Sequence, residues 1–443
     1  MSTFDTIVVG AGIAGVTAAR LLAGEGRRVV VLEARDRVGG RMHTDRAAGF
    51  CVDRGASWIH GIEGSAVWDL ARALEVPTIE FTVGSFQAGG RPIADHDAHG
   101  RLLDAEESAR WVADVAEADA ALMRLVAGLP HGISYLDATE QVLAGLGWDA
   151  ERTQNVREFF RHRVEEQCGA WIGDLDAHGL DEDLIDGDEV IFPRGYDELP
   201  LAVAEGLDIR LEHVVTAVSW AESGVVVTTS AGETFAAASA VVTVPLGVLK
   251  AGTIAFEPPL PESVAGPVER LGMGVFNKIF LQFPERFWED GVYAIRQLGA
   301  AGERWHSWYD VSAVSGTPML LTFAAGPLGR EVQEWSDDEI VADVLAALRS
   351  MYPAVPAPTA RWITRWGHEP FTEGSYSYIA TGASHADHDD AAGPVGGVLH
   401  FAGEATWGEE PATVEGALRS GHRAAERITG RQIDLGAFFR MLR

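Results

Sequence analysis

Residues 4–22 read FDTIVVGAGIAGVTAARLL, and residues 27–34 read RRVVVLEA. A short apolar run, a glycine cluster, an Ala/Leu-rich helical run and a second apolar run make a strand–turn–helix–strand unit, the start of a doubly wound α/β sheet. In that context the glycines serve different ends. Gly10 makes the tight turn, Gly12 lets the backbone approach a pyrophosphate, and Gly15 allows close helix packing. The diphosphate is expected at the helix N-terminus, where backbone N–H groups point outward. Glu33 lies near the end of the second strand, which is read as closing at Ala34, placed to accept from a ribose hydroxyl and to repel a 2′-phosphate. Residues 35–45, RDRVGGRMHTD, add Gly39, Gly40 and Arg41, where a second diphosphate-binding turn can form. That continuation points to FAD.

Beyond this unit the spacing predicts an amphipathic helix from Asp104 to Val126, with Trp111, Val115, Ala118, Leu122 and Leu125 on one face. More helix is expected through Cys168, then a β-rich stretch from Ile209 to Val244, strands in NKIFLQF and MLLTFAAG, and a helix over Asp337–Met351. Pro411 to Val414 opens a last helix, whose N-terminal N–H groups favour the negative charge a flavin ring gains on accepting a hydride.

Composition narrows the partners. Lys and Arg total 35 against 65 Asp and Glu, a net charge of −30, which argues against nucleic acid and favours a cationic ligand. Lysine occurs only at positions 250 and 278. Where it survives in so arginine-rich a chain, a compact ammonium whose pKa shifts on burial is expected to matter. Cys51 and Cys168 give neither a disulfide framework nor metal-ligand spacing, so no metal and a reducing cytoplasm are expected. No apolar stretch is long enough to span a membrane, and none is expected as a partner.

Five motifs across nearly the whole length resemble the flavin-dependent amine oxidases: GAGIAG with Glu33 and GGR; GASWIHG at 55–61; PRGYDELPLAVAEGLDIRLEHVVTAV at 193–218; PLGVLK with GVFNKIFLQF; and GSYSYIATG with HFAGEATWGEEPATVEGALRSG. The resemblance, closest to polyamine oxidases, implies a Rossmann-like, glutathione-reductase-type FAD-binding domain (1–78, 190–255 and 370–443). An inserted α+β substrate domain (79–189 and 256–369) would complete a monoamine-oxidase-like architecture. It also implies FAD contacts from Ile13, Ala14, Ala34, Arg35, Gly55, Ala56, Ser57, Trp58, Gly403, Thr413 and Val414, besides the fingerprint residues. Val215 would meet adenine through its backbone, Glu404 the ribityl or diphosphate region, and Trp366 the flavin itself. Monoamine oxidases attach their flavin through a cysteine; Ser375 stands at the matching position, so the FAD is expected to be non-covalent.

For the amine site the resemblance implies four catalytic positions. Lys278 matches the lysine that holds a water against flavin N5, with a strand-end salt bridge as the structural alternative; Lys250 is read as structural. Tyr376 matches one wall of an aromatic cage, and Thr413 stands where monoamine oxidases have the facing tyrosine. Tyr378, two residues on, is expected to face away. His60 matches a histidine that polyamine oxidases set beside the substrate chain, with Trp58 next to it. Glu165 and Glu166 fall on the helix that carries an acidic substrate-binding residue in polyamine oxidases, although adjacent glutamates ordinarily form a solvated helix face. The expected activity is oxidation of polyamines, with O2 as acceptor. Oxidation of monoamines, amino acids or alkaloid-like amines is the alternative, and a non-catalytic flavin-bearing binding module the lesser one. No motif supplies an arginine for an amino-acid carboxylate, and no long coiled-coil insertion of the histone-demethylase kind is present.

Overall fold

A computed structural model describes residues 4–82, 92–180 and 186–442. Strand β1 (Phe4–Val9) pairs in parallel with β2 (Val29–Leu32) on one side and with the strand Thr234–Val242 on the other. These runs carry Val and Ile without alternation because both faces are covered: Val8, Val31 and Val241 cluster with the helix Ile13–Gly24, and Ile7, Val9, Val30 and Leu32 with Val215, Val218, Val225 and Val227. Ile7, Val8, Val30 and Val241 are fully buried. Helix α1 (Ile13–Gly24) follows β1 without a loop to spare. Gly10 has φ +104°, and a Cβ there would meet Thr243 Oγ1 at 2.5 Å; a Cβ on Gly15 would meet the Gly10 carbonyl oxygen at 2.0 Å. The turn therefore closes only with hydrogen at both positions.

Eight strands make this first sheet. Their spatial order is Ala255–Glu257, Val215–Ala221, Gly224–Thr229, Thr234–Val242, β1, β2 and Ile209–Arg210, with Leu399–Phe401 also pairing with Thr234–Val242. A second sheet of six runs Ala360–Ile363, Phe276–Gln282, Met319–Ala325, Ser307–Asp310, Ala294–Gln297 and Ile93–His96, antiparallel except for its last pair. The Rossmann-like sheet is thus assembled from early, middle and late segments, and the α+β part is inserted between them. β2 stops at Leu32, two residues short of the expected Ala34.

Helix α2 (Ala66–Ala73) lies beside α1's layer, and three helices extend the inserted part: α3 (Ala105–Val126), α4 (Tyr135–Leu146) and α5 (Ala150–Cys168). α3 begins where expected because Asp104 and Glu107 form a reciprocal capping box. α5 begins at Asp149, whose side chain accepts from Arg152 N, and ends at Gly169 in the left-handed region. It is polar yet buried on several sides: Phe159, Phe160 and Val164 are covered, and so are Glu158, His162, Glu165 and Glu166. Charged groups so placed need partners, and their choice of partner shapes the site.

Candidate active site

One cavity of about 1000 Å³ runs from the α1 turn to the second sheet. Its first end is walled by the fingerprint: Gly10, Gly12, Ile13, Ala14, Glu33, Ala34, Arg35, Gly39, Gly40 and Arg41 all line it, as do Val215, Gly403, Glu404, Thr413 and Val414. Gly15 does not. It lies behind the wall, where its lack of a side chain lets α1 sit on the Gly10 carbonyl.

This end fits a dinucleotide on several counts. A Cβ on Gly12 would meet nothing within 4 Å, so that backbone borders open space and not protein. Glu33 is held from behind by two backbone N–H groups, Ala11 N donating to Oε2 at 2.7 Å and Arg35 N to Oε1 at 2.9 Å, which fixes an acceptor at the wall. Thr413 caps the helix Val414–Thr429, its Oγ1 accepting from Gly416 N, and Thr413, Val414, Glu415 and Ala417 line the cavity, so the positive end of that helix lies at its wall. Glu404 gathers the segments: it accepts from Arg41 Nη1 at 2.7 Å, from Ser377 Oγ at 2.5 Å and from Ala412 N at 3.1 Å. Burial alone would raise its pKa, but Arg41 and the Ser377 hydroxyl outweigh that and hold it below the ordinary carboxylate range.

At the other end Lys278, Trp366, Gly55, Ala56, Ser57, Trp58 and Tyr376 line the cavity. Lys278 comes from the centre of the strand Phe276–Gln282, and its Nζ reaches the loop after the first sheet's early segment. It donates to Gly55 O at 2.6 Å, to Asp53 O at 3.3 Å and to Ser57 Oγ, and lies 5.3 Å from the Trp58 ring centroid. This is not the strand-end salt bridge. Burial pushes its pKa down, with the nearby Asp53 carboxylate opposing. Trp366 Nε1 donates to Arg54 O at 3.0 Å, and Ser375 Oγ is engaged with both the N–H and the C=O of Phe276. Lys250 Nζ, by contrast, donates to the carbonyls of Val268, Glu269 and Leu271 and closes a helix end.

Tyr376 donates its hydroxyl to Glu166 O at 2.8 Å, and burial pushes its pKa well up. Tyr378 lines the same cavity, correcting the expectation that it faces away; residues two apart on extended backbone share a face. Thr413 stands at the cavity wall with its hydroxyl occupied by Glu410 O and Gly416 N.

The two glutamates are not a solvated helix face. Glu165 turns away from the cavity to pair with Arg161 at 2.9 Å, and burial raises its pKa to about 7. Glu166 lines the cavity, accepts from Tyr309 OH at 3.2 Å, and is pushed up to about 8 by burial, with the buried Arg296 opposing. Adjacent residues on a helix diverge by about 100°, and the inserted part covers both directions.

Two residues that no motif marked also wall this end: Tyr309, one of seven tyrosines, and Glu189, whose Oε1 lies 2.6 Å from His60 Nδ1. Scarcity could have drawn attention to Tyr309; nothing distinguishes Glu189 among so many acids. Away from the cavity, His131, Asp176 and His178 hold potential ligand atoms within 4.8 Å of one another. Asp176 already accepts from the N–H groups of Gly132, His178 and Gly382, which makes it a clasp between loops. Among the described residues no helix is long and apolar enough to cross a membrane.

Comparison with known proteins adds the relatives. Polyamine oxidase 2 of Arabidopsis thaliana is 34% identical over 97% of this chain and 89% of its own length. The human lysine-specific histone demethylase 2 is 32% identical over 96% of this chain, which spans about half of that protein (53%). A solved structure of putrescine oxidase bound to putrescine superposes with a TM-score of 0.78 at 25% identity, covering 97% of this chain and 99% of that one. The flavin containing amine oxidoreductase family model matches residues 13–429, so the chain belongs to that family, and its cofactor is FAD.

Proposed function

We propose that the protein is an FAD-dependent oxidase of polyamines, with residues 1–78, 190–255 and 370–443 holding the cofactor and 79–189 and 256–369 shaping the amine site. The observation that carries this reading is Glu166, a carboxylate buried in the wall of the cavity's amine end beside Tyr309 and Tyr376. A polyamine presents one neutral nitrogen for reaction while its other nitrogens stay charged. An acid in that wall, once ionised, attracts a second ammonium and uses that attraction to place the reacting carbon. A monoamine has nothing to offer it. The polyamine oxidases and putrescine oxidase among the relatives support the same substrate class.

FAD held by the fingerprint glycines, Glu33, Arg41 and Glu404 would supply a hydride acceptor for the carbon beside nitrogen; the imine would hydrolyse to aldehyde and amine, with O2 the final acceptor giving hydrogen peroxide. The chain's own contribution is placement. Trp58, Trp366 and Tyr376 enclose the reacting end, Lys278 offers an amine of lowered basicity there, and His60 and Glu166 meet the substrate's nitrogens. The test is anaerobic bleaching of the bound flavin by a panel of mono-, di- and polyamines. Spermine or spermidine should reduce it fastest; preference for benzylamine or phenylethylamine would overturn the polyamine reading. Indifference to every amine would leave a flavin-bearing binding module.

A further inference from the structure

The strand Trp58–Ile59 pairs antiparallel with Val190–Ile191, in the register Trp58↔Ile191 and Ile59↔Val190. Continuing that register sets His60 directly across from Glu189, at the spacing where cross-strand side chains meet. They do meet: His60 Nδ1 and Glu189 Oε1 are 2.6 Å apart. The Glu189 side chain is 2% exposed and that of His60 53%, so the carboxylate is the fixed member and the ring stands at the cavity's edge. Glu189 is held in turn by its backbone N–H, which donates to Thr82 Oγ1 at 2.9 Å.

An ionised carboxylate only accepts, so opposite one a neutral imidazole carries its proton on Nδ1 and keeps the lone pair on Nε2. Among the described residues Nε2 makes no hydrogen bond. Among the described residues, Glu63 and Asp186 line the same cavity as the ring, and Lys278 lies on Trp58, the ring's stacking neighbour. The reaction needs such an acceptor. An alkylamine of pKa about 10.4 is neutral in only about one molecule in 2,500 at pH 7, and a protonated nitrogen has no lone pair to help the hydride leave.

We propose that Glu189 is a positioning residue that holds His60 with Nε2 as the acceptor for the substrate ammonium's proton. This rests on the amine-oxidase reading. The N–H bond of the ammonium breaks, its electron pair stays on nitrogen, the proton goes to Nε2, and Glu189 balances the imidazolium until the proton passes to water. No oxidant enters this step. The arrangement follows the orienting-carboxylate logic by which a third group fixes the tautomer of a base.

The holoenzyme and its E189Q, E189D, H60N and E189Q/H60N variants test it by anaerobic stopped-flow reduction of the flavin with spermine. At pH 7 E189Q and H60N should each slow reduction by about tenfold or more, in the usual range for a lost acid–base group. The double variant should be no slower than either, because the pair acts as a unit, and E189D should recover part of the loss. The deficit should fade above about pH 10, where the amine no longer needs an acceptor. In ¹⁵N-histidine spectra, the imidazole signal missing from H60N should report protonated Nδ1 and bare Nε2 in the wild type and should shift in E189Q. Wild-type speed in E189Q at pH 7, an equal deficit at pH 7 and pH 10, or a proton on Nε2 would each overturn the proposal. If no amine reduces the wild-type flavin, the functional reading fails first, and the spectra still decide whether Glu189 sets the tautomer.

Discussion

Lys278 Nζ lies 2.6 Å from the carbonyl oxygen of Gly55, so one side chain ties the second sheet to the loop of residues 53–57. Three oxygen acceptors from residues 53–57 surround it. Arginine's planar fork does not match so compact a cluster, which gives a physical reason for lysine at this position.

Replacing Lys278 by Met should therefore slow flavin reduction, reoxidation or both by about tenfold or more, within the span of a lost acid–base group, with FAD retained. Stopped-flow absorbance checks it. Unchanged rates would remove the catalytic role, and loss of FAD would make the residue a tie alone.

Glu166 is expected to give a pH signature. Burial raises its pKa to about 8, so near pH 7 it is mostly protonated, and it gains charge as the pH rises through 8. Its attraction for a remote ammonium grows in the same direction, while alkylamines of pKa about 10.4 stay protonated. KM for spermine should fall from pH 7 to 9 in the wild type and stay higher and flat in Glu166→Gln, with monoamine kinetics nearly untouched. A KM for spermine that rises over this window, or a variant with the wild-type profile, would refute the assignment.

The flavin should come off with acid or heat. Ser375 stands where a cysteine would anchor the ring, and its hydroxyl is committed to the Phe276 backbone. Yellow colour remaining in the denatured pellet would contradict this.

Glycines of the first turn should fail in different ways. A Cβ at position 12 meets open cavity, so Gly12→Val should emerge without flavin and melt close to the flavin-stripped wild type. At position 15 a Cβ meets backbone at 2.0 Å, so Gly15→Val should destabilise the protein itself. Differential scanning calorimetry and the flavin's visible absorbance separate the two outcomes; equal melting temperatures would show that the clash is relieved at no cost.

With net charge −30, the preference for polyamines should also weaken as salt is added, since exposed charges are screened over about 8–10 Å. The ratio of kcat/KM for spermine over benzylamine, measured from low to high ionic strength, should fall. A constant ratio would make the acidity compositional.

The cofactor end was legible in the sequence because its residue types follow from backbone geometry: Gly10 has to turn and Gly15 has to be small whatever the rest of the chain does. The spacing of Trp111, Val115, Ala118 and Leu122 likewise announced α3, and the cap at Asp104 fixes its start locally. The amine end depends on what distant segments bring. Glu165 and Glu166 look alike in the chain, and only the packing of α5 sends one to Arg161 and the other to Tyr309. Glu189 becomes visible only through its register against His60. Tyr378 needed nothing but the alternation of a strand, and the expectation put it on the wrong face.

The first sheet joins residues 4–9 to residues 234–242, and those in turn to residues 399–401. The order of synthesis consequently matters. At translation speeds of about 5–20 residues per second, β1 waits on the order of tens of seconds for its last neighbours to leave the ribosome. The Arg41–Glu404 contact and the cap at Thr413 come later still. For most of its synthesis the nascent chain therefore lacks the far wall that Glu404 and Thr413 supply. The wall that would close over a flavin is complete only after residues 404–413 have been made.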